Sequence, residues 1–160
     1  MTSITAETIL AAYRIGIFPM ADSADDPSLF WVDPDRRGIF PLDKFHVPKR
    51  LTKSIRKDPF EVTIDLDFRG VMRACAAPRR DGGDTWINPE IMERYSELHD
   101  LGYAHSVECR RDGELVGGLY GFAFDSVFCG ESMFTKVTDA SKVALVYLVA
   151  RLIHGGYTLL

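Results

Sequence analysis

Long apolar runs are missing from this 160-residue chain. The longest, VALVYLVARLI (Val143 to Ile153), contains Arg151 and falls well short of the roughly 20 residues that span a bilayer. The opening MTSITAETIL lacks the basic start and apolar stretch of a secretory signal. Cysteine is scarce: Cys75, Cys109 and Cys129 are odd in number and far apart, which excludes a disulfide framework and predicts a reducing cytoplasm. Neither the cysteines nor the four histidines show C-x-x-C or H-x-x-x-H spacing, so no metal and no cofactor is expected. Internal repeats and low-complexity segments are absent as well. With 46% hydrophobic and 26% charged residues, the expectation is a soluble globular unit, or a small domain beside a larger one.

Positive charge is not in excess overall, since the net formal charge is −4. Its distribution is uneven, however. Eight of the 19 Lys and Arg lie between Arg36 and Lys57 beside a single acid, Asp43, which leaves 11 basic against 22 acidic residues elsewhere. A basic segment in an acidic protein is the footprint of phosphate contacts, and equally of a solvated helix face. Arg69, Arg73, Arg79 and Arg80 form a second cluster that favours a polyanion.

The chain divides near Asp58. Residues 1–58 are expected to form a small N-terminal α/β domain that carries the basic segment. They hold a helix capped near Thr5 and stopped by Gly16 and Pro19, then short strands and turns rich in Pro and Asp, then the basic helix KRLTKSIRK. From residue 59 the elements alternate. DPFEVTID begins a strand and DFRGVMRACA is helical. The next helix opens on Asn88 as N-cap with Pro89 at its first position. YAHSVECRRDGELVGGLYGFAF is a hairpin turning at Asp112-Gly113, and VFCGESMF is the following strand. TDASKVALVYLVARLIHGG is apolar on nearly every face, which predicts a buried central helix. YTLL starts another strand. An antiparallel meander, a buried helix and one more strand outline an α+β, acetyltransferase-like (GNAT-type) domain over 59–160, with a mixed, mainly antiparallel sheet incomplete at its C-terminal end.

Candidate chemistry concentrates in a few residues. Glu131 sits among apolar neighbours in VFCGESMF, where a carboxylate is costly to desolvate without a partner. A turn at Gly130 that exposes it is one reading; an apolar pocket whose single charge meets a cationic substrate is the other. Phe128 and Met133 have opposite strand parity, so they share a face only if Gly130 makes a bulge. Trp31 and Trp86 stand in polar loops near arginines, placed either for core packing or for stacking on a base. Cys129 is a possible nucleophile with His105 or His154 as base, or else an inert apolar thiol.

The strings GIFPM, TWINPE, LGYAHSVE, LVGGLYG and FCGESMF, in this order, resemble the bacterial leucyl/phenylalanyl-tRNA–protein transferases from about Ile9 to Leu160. The resemblance implies an aminoacyltransferase that uses no coenzyme A. It would move Leu or Phe, less readily Met, from aminoacyl-tRNA to the α-amine of proteins starting with Arg or Lys, marking them for N-end rule degradation. It implies that Trp31 and Trp86 hold the terminal adenosine, and that Leu119, Phe128, Leu145 and Leu152 line the aminoacyl side-chain pocket. Glu131 would face the acceptor's Arg or Lys. Arg36, Arg37, Lys49, Arg50, Lys53, Arg56 and Lys57 would meet tRNA phosphates. Such proteins continue with an Asp-x-Gln motif beyond the strand matching YTLL. The expectation is therefore a truncated piece of a longer enzyme, with the main catalytic acid and amide beyond Leu160. Two readings from other classes stand beside it: a non-catalytic RNA-binding module, and a thiol acyltransferase or hydrolase built on Cys129.

Overall fold

The computed structural model describes residues 4–57, 59–78 and 82–160. Asp58, where the sequence suggests a division, and Arg79 and Arg80 of the second basic cluster lie outside the described residues. Helix α1 (Ala6–Arg14) begins at Thr5, whose side chain accepts the Thr8 N–H, and ends before Gly16 at φ +88°. Strands β1 (Phe18–Met20) and β2 (Phe30–Val32) form an antiparallel ribbon. A 3-10 turn (Leu42–Lys44) leads to α2 (Lys49–Ile55), in which only Leu51 is buried, so the basic residues face water.

Strand β3 (Glu61–Ile64), helices α3 (Phe68–Ala76) and α4 (Pro89–Asp100), strands β4 (Ala104–Arg111), β5 (Glu114–Phe124) and β6 (Val127–Thr135), and helix α5 (Ala140–His154) complete the order. Asp67 caps α3 and Asn88 caps α4, each side chain accepting the N–H three residues on. The four strands make one antiparallel sheet ordered β3-β4-β5-β6. Asp112 and Gly113, at φ +52° and +79°, close the β4–β5 hairpin; two left-handed residues match the twist of the paired strands. Leu159 then bridges β6 in parallel at Val127 and Pro41 in antiparallel, so the assembly is mixed but mainly antiparallel, an α+β fold.

The sheet is the middle of three layers. On one side α5 packs Val143, Ala144, Leu148 and Leu152 against Val107, Leu119, Ala123 and Phe128. On the other, α1, α3 and α4 cover Ala104, Tyr120 and Phe122 with Ile9, Val71, Met72 and Leu98. Strand β5 is therefore buried on both faces, and its alternate residues serve two cores. The elements preceding residue 58 share these cores, with Leu42 and Leu51 in the first and Ile9 and Tyr13 in the second.

One expectation fails. Helix α5 is not enclosed on all sides, since Tyr147 is 40% and Ile153 53% exposed. The sheet covers one of its faces, and apolar side chains all round a helix do not by themselves supply a second covering layer.

Candidate functional site

The site begins with a register shift. Tyr120 pairs with Ser132 and Gly121 with Gly130, so Glu131 is an extra residue in β6 with no partner on β5. The bulge resolves the parity conflict in VFCGESMF. Phe128 stands opposite Ala123 and Met133 opposite Leu119, both on the α5 side, because the inserted residue reverses the alternation between them. Gly121 makes room for the distortion. A Cβ there would lie 2.3 Å from the Phe128 ring and 2.4 Å from the Cys129 carbonyl oxygen.

Two cavities meet at the bulge, sharing Gly38, Gly130, Glu131 and Leu160 in their walls. The first, about 460 Å³, lies on the α1 side and is lined by Tyr13, Phe18, Arg36, Arg37, Trp86 and Cys129 among others. The second, about 310 Å³, lies on the α5 side, with Phe40, Leu119, Met133, Leu145 and Leu148 as its apolar wall and Tyr120 and Ser132 beside Glu131. Glu131 is thus the charge at the junction of a cavity edged by arginines and an apolar one.

Burial pushes the Glu131 carboxyl up to about 7, against the opposing pull of a Tyr13 hydrogen bond and the Arg37 charge. The Tyr13 hydroxyl donates to Glu131 Oε1 at 2.5 Å and lies 2.5 Å from the Tyr95 hydroxyl. Arg37 is itself held, donating to the Gly16 carbonyl with its guanidinium 5.1 Å above the Phe18 ring. An incoming cation would favour the ionised form of such a carboxyl and pull its raised value down.

The residues singled out in the sequence are only partly brought together. Trp86 lines the first cavity with Arg36 and Arg37. Trp31 does not line it. It pairs with Pro19 in the β1–β2 ribbon, on the face opposite Phe18 and Met20, which do. Leu119, Phe128, Leu145 and Leu152 belong to one apolar cluster, but only Leu119 and Leu145 line the cavity beside Glu131. Phe128 lines the first cavity, and Leu152 a separate one near His105 and His154. Lys49, Arg50, Lys53, Arg56 and Lys57 are exposed on and just beyond α2, away from both cavities; Arg50 lies 4.0 Å from Asp139.

Cys129 is poorly placed as a nucleophile. Burial first, and then the neighbouring Glu131 charge, push its thiol up to about 11. No histidine lines its cavity. His105 is instead engaged by Asp65 at 2.7 Å and by the Gly102 carbonyl at 3.1 Å. Among the described residues no group of three or more His, Cys, Asp or Glu could hold a metal ion.

Sequence reasoning missed Tyr13, Tyr95, Leu148 and Leu160. Each reads as an ordinary apolar position of its element, and Tyr13 meets Glu131 across 118 residues.

Comparison with known proteins adds three findings. The family model described as leucyl/phenylalanyl-tRNA protein transferase matches residues 39–160, and the model of that family's N-terminal domain matches residues 2–35. The chain is 58% identical over 159 residues to a leucyl/phenylalanyl-tRNA–protein transferase of Rhodopseudomonas palustris (strain TIE-1), covering 99% of this chain and 71% of that one. It is 55% identical over 160 residues to the transferase of the same name from Paramagnetospirillum magneticum, covering 100% and 77%. A solved structure, L-PGS from Bacillus licheniformis, superposes at a TM-score of 0.48 with 14% identity, over 96% of this chain and 48% of that one.

Proposed function

The chain belongs to the leucyl/phenylalanyl-tRNA protein transferase family, and on that premise we propose how its two cavities divide the work. The reaction is transfer of Leu or Phe, less readily Met, from aminoacyl-tRNA to the α-amine of a protein beginning with Arg or Lys. The modified protein then enters N-end rule degradation. The observation that carries the assignment is the meeting of an arginine-edged cavity and an apolar cavity at one carboxylate.

The first cavity suits the nucleotide end of the tRNA. Trp86 offers a ring for the terminal adenine to stack on, and Arg36 and Arg37 offer positive charge for the last phosphates. Trp31, on the far face of the β1–β2 ribbon, is left without a direct contact to that end. The exposed charges of Lys49, Arg50, Lys53, Arg56 and Lys57 suit the phosphates of the tRNA body, a salt-dependent and sequence-independent attraction.

The second cavity suits the aminoacyl side chain. Its wall at Leu119, Leu145 and Leu148 accepts an unbranched or γ-branched apolar group, while Phe128 and Leu152 back it from the same cluster. A β-branched group is excluded by shape, because apolar contact alone separates substrates differing by a methylene by only about 1–3 kcal/mol.

Glu131, between the two, faces the cationic side chain of the acceptor. Below about pH 7, binding of Arg or Lys therefore releases a proton from Glu131. The acceptor amine attacks the ester carbonyl, the C–O bond to the terminal ribose breaks, and the proton lost by the amine ends, in net terms, on the departing ribose oxygen as its hydroxyl. The ester is already activated, so holding the reactants in line supplies much of the rate. The division of the chain near residue 58 is kept as a proposal for how these roles are shared, with tRNA contacts before it and the pocket after.

The test is transfer of radiolabelled Leu from Leu-tRNA to an Arg-starting protein, for the native chain and for Glu131→Ala. Transfer should fall at least tenfold in the variant while Leu-tRNA affinity stays within about twofold. Parallel loss of tRNA affinity and transfer would remove Glu131 from the acceptor side. Binding of Leu-tRNA without transfer, both by this chain and by one extended through the Asp-x-Gln segment, would favour the RNA-binding module instead.

A further inference from the structure

Behind Glu131 lies a set of hydroxyls and thiols, its tyrosines buried and its cysteines and serine partly so. Tyr13 comes from α1, Cys75 from α3, Tyr95 from α4 and Tyr120 from β5, while Cys129 and Ser132 flank the bulge in β6. Arg37 reaches Glu131 from the segment after β2. These are the titratable and charged groups facing the carboxylate.

We propose that Tyr13 and Tyr95 form a directed hydrogen-bond clamp that holds Glu131 as an ionised acceptor and fixes which of its oxygens meets the substrate cation. The proposal rests on the assignment of Glu131 to the acceptor side.

With Glu131 ionised, and so only able to accept, one arrangement of protons follows. A tyrosine hydroxyl has a single proton. The Tyr13 proton is committed to Glu131 Oε1, so the contact between the two hydroxyls has Tyr95 donating and Tyr13 accepting. Protons therefore point along Tyr95, Tyr13, Glu131. Donation from Tyr95 polarises Tyr13 and makes it a stronger donor to the carboxylate. That order requires Glu131 to accept on Oε1, which fits its ionised form.

The chain of hydroxyls is a dead end. Tyr95 is fully buried and makes no further side-chain hydrogen bond among the described residues. A proton entering at Glu131 has no exit at the far end, so the arrangement is a clamp and not a proton wire. Both tyrosine hydroxyls are held well above their ordinary range, chiefly by burial, which keeps them protonated donors at working pH. With Oε1 taken from behind, Oε2 is left to the cavities. Tyr13 and Tyr95 are positioning residues: they act through Glu131 and touch no reacting atom.

The experiment is a carboxyl 13C NMR titration of the glutamate-labelled chain, with the Glu131 signal assigned by its loss in Glu131→Gln. Tyr13→Phe should raise the Glu131 midpoint by about one pH unit, a tenfold change, because the charged form loses its donor. Tyr95→Phe should raise it by about half as much, through the weakened Tyr13 donor. A midpoint unmoved within about 0.2 unit in both variants, or lowered in either, overturns the clamp. Should Tyr13→Phe fail to fold, the Tyr95→Phe shift alone decides.

The second arm measures affinity for an Arg-starting peptide. Tyr13→Phe should weaken it several-fold at pH 6.5 and restore it at pH 9, where Glu131 is ionised in both chains. Loss that persists at pH 9 marks a merely structural role and overturns the proposal. Were the native chain to bind no Arg-starting peptide at any pH while the midpoint shifts hold, the acceptor assignment would fail and the clamp would stand.

Discussion

Replacing Glu131 by Gln should stabilise the fold at pH 8 and do almost nothing near pH 4.5. Burial raises the Glu131 carboxyl from 4.5 to about 7. A carboxyl with its folded value above its unfolded one binds the proton more tightly when folded. Its favourable contribution is therefore complete below pH 4.5, declines as pH rises toward 7, and is gone above that. At about 1.4 kcal/mol per unit the full cost of ionisation is roughly 3 kcal/mol. Water in the adjoining cavities screens part of it, so about 2 kcal/mol is expected at pH 8. Gln keeps the shape and can still accept from Tyr13, but has no charge to bury. The assay is urea unfolding of both chains at half-unit steps from pH 5 to pH 8, taking the difference in stability at each. Other titrating groups are common to the two chains and cancel in the difference. The gap in favour of Gln should widen by about 1.5–2 kcal/mol across that range. A gap constant within about 0.5 kcal/mol, or one that narrows, would refute the reasoning that Glu131 is held against its preferred protonation state.

Other perturbations probe the surroundings of the site. Gly121→Ala should cost about 2–3 kcal/mol in urea unfolding, because its Cβ meets the Cys129 carbonyl at 2.4 Å and backbone cannot swing aside; a loss under 0.5 kcal/mol would mean the bulge relaxes freely. His105→Asn should destabilise by no more than about 1 kcal/mol, since the ring is partly exposed. The Asp65 hydrogen bond raises the His105 value, so this loss should be full below the ordinary histidine range and vanish as pH climbs through the raised one; a loss that grows from pH 6 to pH 8.5 would contradict it. Cys129→Ser should leave transfer within about threefold of the native chain, as a thiol held up to about 11 supplies almost no thiolate; abolition of transfer would revive the nucleophile reading.

What the sequence revealed and what it hid follow from the range of the interactions involved. Local signals were legible because they act over three or four residues. Thr5, Asn88 and the Asp112-Gly113 pair each set one end or turn by their own chemistry. The bulge in β6 could be posed only as a condition, because it depends on Gly121 of a neighbouring strand admitting the Phe128 ring. Tyr13 looked like a core aromatic in the last turn of α1, and no periodicity distinguishes a buried tyrosine that packs from one that donates to a carboxylate 118 residues away. Trp31 and Trp86 were alike in sequence context, yet the pairing of Trp31 with Pro19 turns it to the far side of the ribbon. Register between strands, and not residue type, separated the two.

The sheet holds one fully enclosed glutamate, and the contrast between it and the partly buried Glu131 bears on the role proposed for Glu131. Glu108 on β4 is fully buried, and a buried carboxylate survives when its lone pairs are satisfied. Thr63 donates to one of its oxygens at 2.7 Å, and Ser106 and the Asp67 N–H donate to the other at 2.6 and 3.2 Å. Both oxygens are engaged, and what it joins is structural: β3, the start of α3 and β4. Among the described residues Glu131 has one side-chain donor, on one oxygen; it lies at a bulge and opens on two cavities. Leaving a carboxylate half-satisfied in that position costs stability, while the saturated Glu108 shows that the same sheet can satisfy one completely. A cationic N-terminal residue entering from the cavities would bring hydrogen bonds and a compensating charge to Glu131, as the proposed assignment requires. If Glu131 faces the acceptor as proposed, the variant that gains stability at pH 8 is the one that gives up the acceptor.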